Sequence, residues 1–284
     1  MRYLAYYPES EQIARFYQAS AHWSPRDSLV PIGELPAAAS GTDELVFLGR
    51  HGNSHQAELS HITAARQIRG LAEGSDLSLF CFDWHHDTDN QLGGTELNAG
   101  SWVSCGLERG LFHSAYLIGA NPKNDSEVDP ATGQPKCDRW FALRMFDRLF
   151  MFTAAGGSAS LRYDAAYEAH LAANPSVAHY HVSADGTWVE VHYRTCREVD
   201  YQHLGPNAFV SIDLDVLAPA EVHCDCPQGV WRTPDLLGAI AEVRDRAHVI
   251  GWGICGAAVN EGTLDATSLT TIAEVAHACT ERDA

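Results

Sequence analysis

Two short apolar runs in this chain break off abruptly into carboxylates. Leu77, Leu79, Phe80, Cys81 and Phe82 lead into Asp83-Trp84-His85-His86-Asp87-Thr88-Asp89, and Asn207-Ala208-Phe209-Val210-Ser211-Ile212 leads into Asp213-Leu214-Asp215-Val216-Leu217-Ala218-Pro219. Apolar runs of this length, bounded by polar residues, read as buried strands rather than helices. In parallel α/β sheets the loops leaving the carboxyl ends of strands hold ligands, so both clusters stand where chemistry is usually placed. Alternation along an extended backbone would send Asp83, His85 and Asp87 to one side and Trp84 and His86 to the other.

The remaining pattern supplies a scaffold. Helical spacing covers Glu9–Ala19, Gln56–Leu71, Leu236–Ala247 and Ser268–Cys279, and short apolar runs predict strands at Leu45–Leu48, Ala115–Gly119 and Val249–Ile254. Thr233 is read as the N-cap of the helix that follows, with Pro234 at its first position and Asp235 favouring the positive end of the helix dipole. Pro25–Asp43, rich in Pro, Gly and Ala, reads as loop. Strand alternating with helix implies an α/β fold, a three-layer αβα sandwich around a mostly parallel sheet. Between Asn121 and Gly205 the alternation lapses: a turn-rich start, an aromatic helix-like stretch at Arg139–Phe152, then His179–Val182 and Trp188–Tyr193 flanking Ala184-Asp185-Gly186-Thr187. That last pattern is a β-hairpin signal, read as an insertion on the core. The stripe of Tyr180, Trp188 and Tyr193 packs on the core in one reading and forms a substrate lid or subunit contact in another.

Composition narrows the class. At 284 residues, 45% apolar and without a linker, the chain fits one domain spanning 1–284. No stretch approaches the ~18 apolar residues of a membrane span, and the N-terminus lacks a signal-peptide core, so a soluble cytoplasmic protein is expected. A formal net charge of −18 argues against nucleic-acid or anionic-membrane partners, which need a basic footprint. The eight cysteines follow no repeating pattern and read as reduced, buried small hydrophobes. His223-Cys224-Asp225-Cys226 stays open between an ordinary loop and a pocket-lining segment with a functional thiol or carboxylate, because Cys-x-Cys is too short for a zinc clip.

Four carboxylates at two strand ends are too costly to bury ionised without cations, and a divalent metal site resolves the conflict. The residues around that site resemble the arginase/agmatinase (ureohydrolase) family. Asp83-Trp84-His85-His86-Asp87 is similar to its Asp-Ala-His-x-Asp motif, and Ser211-Ile212-Asp213-Leu214-Asp215-Val216-Leu217-Ala218-Pro219 to Ser-x-Asp-x-Asp-x-x-Asp-Pro. Weaker likenesses lie at Pro227–Asp235, at the last core strand Val249–Cys255, and at Trp102–Gly110, which is similar to the family's helix over the pocket. The resemblance implies two Mn2+ ions, with Zn2+ or Fe2+ as alternatives, bridged by a water or hydroxide. It implies that Asp83 and Asp213 bridge both ions, Asp87 completes the first, and His85 with Asp215 completes the second. The first ion also takes a histidine from a Gly-Gly-Asp-His loop; here the matching segment is Gly49-Arg50-His51-Gly52-Asn53-Ser54-His55, and His55 is favoured over His51. Family members often form trimers or hexamers, which leaves a homo-oligomer open.

Two family features are absent. The pocket histidine aligns with Ala99, and the glutamate that holds a guanidinium group aligns with Gly256 or Ala258, leaving Glu261 nearby to substitute. The resemblance therefore implies hydrolysis of a carbon–nitrogen bond in a guanidino, amidino or amide small molecule. Asp87 would help deprotonate the attacking water, with His86, His223 and Glu261 as candidate proton donors. The rival readings are a non-catalytic metal- or ligand-binding member of the fold and a single-zinc, deacetylase-like amidohydrolase.

Overall fold

The structure, a computed structural model, describes residues 1–7, 10–41, 43–49, 55–72, 76–85, 87, 97–119, 206–258 and 264–280, together with the backbone of six strands between 128 and 195. In chain order the strands are β1 Arg2–Tyr6, β2 Asp27–Pro31, β3 Glu44–Leu48, β4 Leu77–Phe82, β5 Ser114–Ile118, β6 Val128–Asp129, β7 Gln134–Pro135, β8 Leu149–Thr153, β9 Gly157–Arg162, β10 His179–Val182, β11 Trp188–Thr195, β12 Asn207–Asp213 and β13 Val249–Cys255. The helices are α1 Glu11–Ala19, α2 Leu35–Ala38, α3 Glu58–Arg69, α4 Trp102–Glu108, α5 Thr233–Arg246 and α6 Ala266–Thr280.

The main sheet runs β10-β11-β8-β5-β4-β12-β13-β3-β1-β2, with β9 paired to β11, and every pairing from β11 through to β2 is parallel. Chain order explains where a crevice opens. From β3 the chain skips two places to β4, and β12 and β13 later fill the gap, so four adjacent strands present their carboxyl ends side by side. Such a reversal of strand order is where open α/β sheets bind ligands.

Both faces of the sheet are covered. Phe80, Phe82, Val210 and Ile212 face a cluster built with Ile13 and Tyr17 of α1, Ile240 and Val243 of α5, and Ile272 and Val275 of α6. Leu77, Leu79, Cys81 and Phe209 face the opposite cluster, with Leu59 and Ile62 of α3 and Trp102 and Val103 of α4. This period-two division is why β4 and β12 read as unbroken apolar runs: each is buried on both sides. Burying one such side chain contributes ~1.5–3 kcal/mol. The result is the three-layer αβα sandwich expected from the sequence.

Three local expectations need correction. Pro25–Asp43 is not all loop, since β2 lies within it as an edge strand ending at Pro31, followed by the short helix α2. Proline is tolerated there because an edge strand need not donate every ladder bond. The helix-like stretch Arg139–Phe152 ends in β8, whose parallel pairing with β5 overrides its aromatic helical spacing; residues 139–148 lie outside the described set. Thr233 is the first residue of α5 rather than its cap; its hydroxyl donates to Glu221 Oε2 at 2.6 Å, while the Arg232 amide donates to Asp235 Oδ2. β10 and β11 pair antiparallel as the hairpin pattern implies, and β11 also joins β8, so the hairpin extends the main sheet. Residues 183–187 between them, and the side chains of Tyr180, Trp188 and Tyr193, lie outside the described set.

Candidate metal centre

Four strand ends build the site. β3 leads towards His55, which opens a short 3-10 turn, His55–Ala57, ahead of α3. β4 ends at Phe82, one residue before Asp83, and β12 ends on Asp213, followed by the 3-10 turn Leu214–Val216 that carries Asp215. β13 ends at Cys255, followed by Gly256 in a left-handed conformation with φ of 94°. Past Phe82 the chain leaves the strand, so Asp83, His85 and Asp87 converge by a bend rather than by simple alternation. Asp87 has φ of 49°, a left-handed geometry that aspartate tolerates better than most residues, and its carbonyl accepts from Val103 N at the start of α4.

His55 Nδ1 faces Asp87 Oδ2 at 2.8 Å, Asp213 Oδ2 at 3.0 Å and Asp83 Oδ2 at 3.2 Å. One imidazole nitrogen surrounded by carboxylates from two strands is the donor set of a cation site. Its other nitrogen, Nε2, lies 3.1 Å from Ser211 Oγ, and its ring packs on Trp102 with centroids 4.8 Å apart. Beside it stands a second cluster, in which His85 Nδ1 is 2.6 Å from Asp215 Oδ2 and 3.7 Å from Asp83 Oδ1. The two oxygens of Asp83 thus face one cluster each. Asp213 Oδ1 accepts from Asp215 N, Asp215 Oδ1 from Trp84 N, and Asp87 Oδ2 from Trp102 Nε1 at 2.6 Å. These bonds fix the carboxylate orientations in the way that supporting hydrogen bonds orient metal ligands.

Electrostatics follow from burial. Burial by itself raises the Asp83 pKa, and repulsion from Asp87, Asp215 and Asp213 takes it well above the usual carboxylate range. Burial and Asp213 likewise raise Asp215. For Asp213, burial is outweighed by His55 and the Asp215 amide, and its pKa falls. Burial would lower both histidines, yet Cys255 and the carboxylates hold His55 well above its ordinary value, and Asp215 lifts His85 to about 10. Four buried carboxylates, Asp83, Asp87, Asp213 and Asp215, outnumber the two imidazoles that face them. The donor set therefore fits divalent metal, whose binding would replace the protons held there.

The described residues gather His55, Asp83, His85, Asp87, Asp213 and Asp215 in one place. His51, His86 and Glu261 lie outside the described set. Ala99 precedes α4 and Gly256 is buried against Asp213, so neither carries a polar side chain into the site. Sequence reasoning did not assign Trp102 or Ser211 a part here. Ser211 had a visible signal, standing two residues before Asp213 on the same strand face; Trp102 had only the likeness of its segment to a helix over the pocket, because its reach to Asp87 depends on how α4 docks. The segment left open at Cys224–Cys226 lines the site: the Cys226 thiol donates to Asp215 Oδ2 at 3.3 Å. Among the described cysteines all six are free thiols. His61 is fully buried, paired with Glu58 at 2.9 Å and stacked on Phe47.

A doubly covered parallel sheet with a carboxylate–imidazole cluster at its strand reversal defines the class, and solved structures make the fold particular. The chain has the arginase/ureohydrolase fold, as a divergent member. It is similar to formimidoylglutamase from Bacillus subtilis, with a TM-score of 0.58 at 15% identity over 98% of this chain and 85% of that one. It is similar to arginase from Bacillus cereus, with a TM-score of 0.58 at 11% identity over 99% of both chains. A triple mutant of an arginase-like protein from T. brucei, bound with Mn2+, gives a TM-score of 0.55 at 14% identity over 98% of this chain and 90% of that one. No protein-family model and no curated protein matches the sequence. Among the described residues no helix is long and apolar enough to cross a membrane.

Proposed function

We propose that this protein is a hydrolase of a carbon–nitrogen bond in a small guanidino, amidino or amide molecule. It works with two divalent cations, Mn2+ foremost, held by His55, Asp83, His85, Asp87, Asp213 and Asp215. The observation that carries the reading is His55 Nδ1 within 3.2 Å of three carboxylates, joined through Asp83 to the His85–Asp215 pair. Solved structures of similar fold include a formimidoylglutamase and an arginase, which supports the reaction class.

Such a cation pair supplies a water acidic enough to attack at neutral pH and a positive field for the developing oxyanion. The chain's own residues do the rest. Asp87 Oδ2, held by Trp102 Nε1, takes the proton of the attacking water. Asp83 and Asp213 would help to hold both cations, and the leaving amine would take its proton from His86, His223 or Glu261. Burial of the cluster keeps bulk water away and strengthens each of these interactions.

Arginine and agmatine are expected to be poor substrates. A guanidinium in a dry pocket needs a facing carboxylate, because each unpaired donor costs ~1–3 kcal/mol and a charged group more. The segment Cys255-Gly256-Ala257-Ala258 offers none. The test is metal analysis of the purified protein together with a urea- and ammonia-release screen over guanidino, amidino and amide compounds with added Mn2+. Two bound equivalents and release from a compound other than arginine or agmatine are expected. If Glu261 has taken over recognition, turnover of a guanidino compound collapses in Glu261→Gln; rapid turnover of arginine indifferent to that change would overturn this view of the loop. Two metals with no turnover of any compound would favour the non-catalytic reading, which draws on Ala99 and Gly256, and one zinc would favour the deacetylase-like one.

A further inference from the structure

The two halves of the centre differ in their donors. Around His55 three carboxylates already converge, whereas among the described residues His85 has only Asp215 close, with Asp83 further off. The space beside that pair is taken by a sulfur. Cys226 comes from the loop between β12 and α5, and its Sγ stands 3.3 Å from Asp215 Oδ2. The donor atoms of His85, Asp215 and Cys226 lie within 4.8 Å of one another, and those of Asp83, Asp213 and Asp215 form an adjoining group.

We propose that Cys226 is a ligand of the cation held by His85 and Asp215, and that it makes this position selective for a thiophilic divalent ion such as Zn2+ or Co2+. The inference rests on the binuclear reading above and concerns which ion the second position takes. Bonds of ~2.0–2.3 Å to a tetrahedral ion place ligand atoms ~3.3–3.8 Å apart, so imidazole, carboxylate and sulfur need only small movements around the ion. Asp83 or Asp213, whose donor atoms adjoin that of Asp215, would complete the set. On binding, the S–H bond breaks, the sulfur keeps the electron pair and gives it to the cation, and the proton leaves to solvent. Thiolate selects Zn2+ over Mn2+, whereas carboxylate suits Mn2+, so with Cys226 as a donor the position at His85 and Asp215 takes a softer ion than those two residues alone would.

Cys81 and Cys255 are the rival sulfurs. Both are fully buried on the His55 side: the Cys81 thiol donates to Asp83 Oδ2 at 3.7 Å and the Cys255 thiol to the Ile212 carbonyl at 3.8 Å. Cys226 instead reaches in from an exposed loop, on the side where carboxylates are fewer.

The experiment strips the full-length protein with a chelator, reloads it with Co2+ alone, and records the near-ultraviolet thiolate-to-cobalt charge-transfer absorption together with the bound-metal count. Wild type should show the band, Cys226→Ser should lose it, and Cys279→Ser, altered at a remote buried thiol, should keep it. In a parallel equimolar competition, the preference of one bound equivalent for Zn2+ over Mn2+ should fall on the order of 10-fold or more in Cys226→Ser. Cys226→Asp, which restores an anionic but hard donor, should keep both equivalents and shift that one towards Mn2+. The proposal is overturned by a band and preference unchanged in Cys226→Ser, or by a band lost in Cys81→Ser or Cys255→Ser instead. Two bound ions without any band would reject the thiolate while the binuclear reading stands; no bound ion under any condition would reject both.

Discussion

The His55 half of the centre and the His85 half each pair an imidazole with carboxylates, but at different depths and with different neighbours. His55 is locked between carboxylates, Ser211 and the ring of Trp102, with 6% of its side chain exposed. His85 keeps 15% and neighbours the exposed residue Cys226. The inner half is part of the core, so disturbing it disturbs folding; the outer half is more open to solvent.

The comparison breaks most visibly at the inner histidine. His55→Ala removes the cation that offsets Asp83, Asp87 and Asp213, and breaking a buried pair in this way costs about 3–5 kcal/mol. The expected outcome is a large loss in the denaturation midpoint of the metal-free protein, the loss of one metal equivalent, and little thermal stabilisation by added Mn2+. His51→Ala should show none of these, and the reverse pattern would move the ligand role to His51.

At the outer half the effect is smaller and depends on pH. With Asp215 lifting the His85 pKa to about 10 in the metal-free fold, from an ordinary value near ~6.5, the protonated ring stabilises the folded state. That contribution is fully present below about pH 6.5 and disappears as pH rises through about 10. Urea denaturation of the chelator-treated protein should therefore separate wild type from His85→Ala at pH 6 and bring them together by about pH 10.5. A gap that stayed constant across that window would mean the pair is not formed.

The smallest change is expected at Trp102→Phe. It keeps the ring against His55 but withdraws the donor from Asp87 Oδ2, which still has His55 beside it. A stability loss of ~1–2 kcal/mol is expected, with Mn2+ affinity lower by ~10–100-fold, read by calorimetry. If affinity is unchanged, Trp102 supports packing alone.

How much of this could be read from the residues depended on whether local pattern or tertiary contact decided each feature. β4 and β12 were legible because burial on both faces leaves unbroken apolar runs, and their carboxylates stood out by ending those runs. β2 was not, since Asp27–Pro31 is an edge strand with neither alternation nor a run, and nothing local distinguishes it from loop. β1 escaped for a related reason: its five residues mix Arg2 and Tyr6 with a short apolar centre, and only pairing with β2 and β3 makes them a strand. In the site, the two-residue spacing of Asp213 and Asp215 is a local signal, whereas Trp102 and Cys226 reach it through the docking of a helix and the folding back of a loop. Such contacts carry no periodicity to detect.

Gly256 limits what its position can carry. Its left-handed backbone and missing side chain let Asp213 press against it, and any side-chain carbon placed there would overlap Asp213 Oδ1. A glutamate placed at residue 256 would therefore displace the carboxylate that faces His55. Accommodating a side chain there would require the backbone turn and the Asp213 side chain to change together.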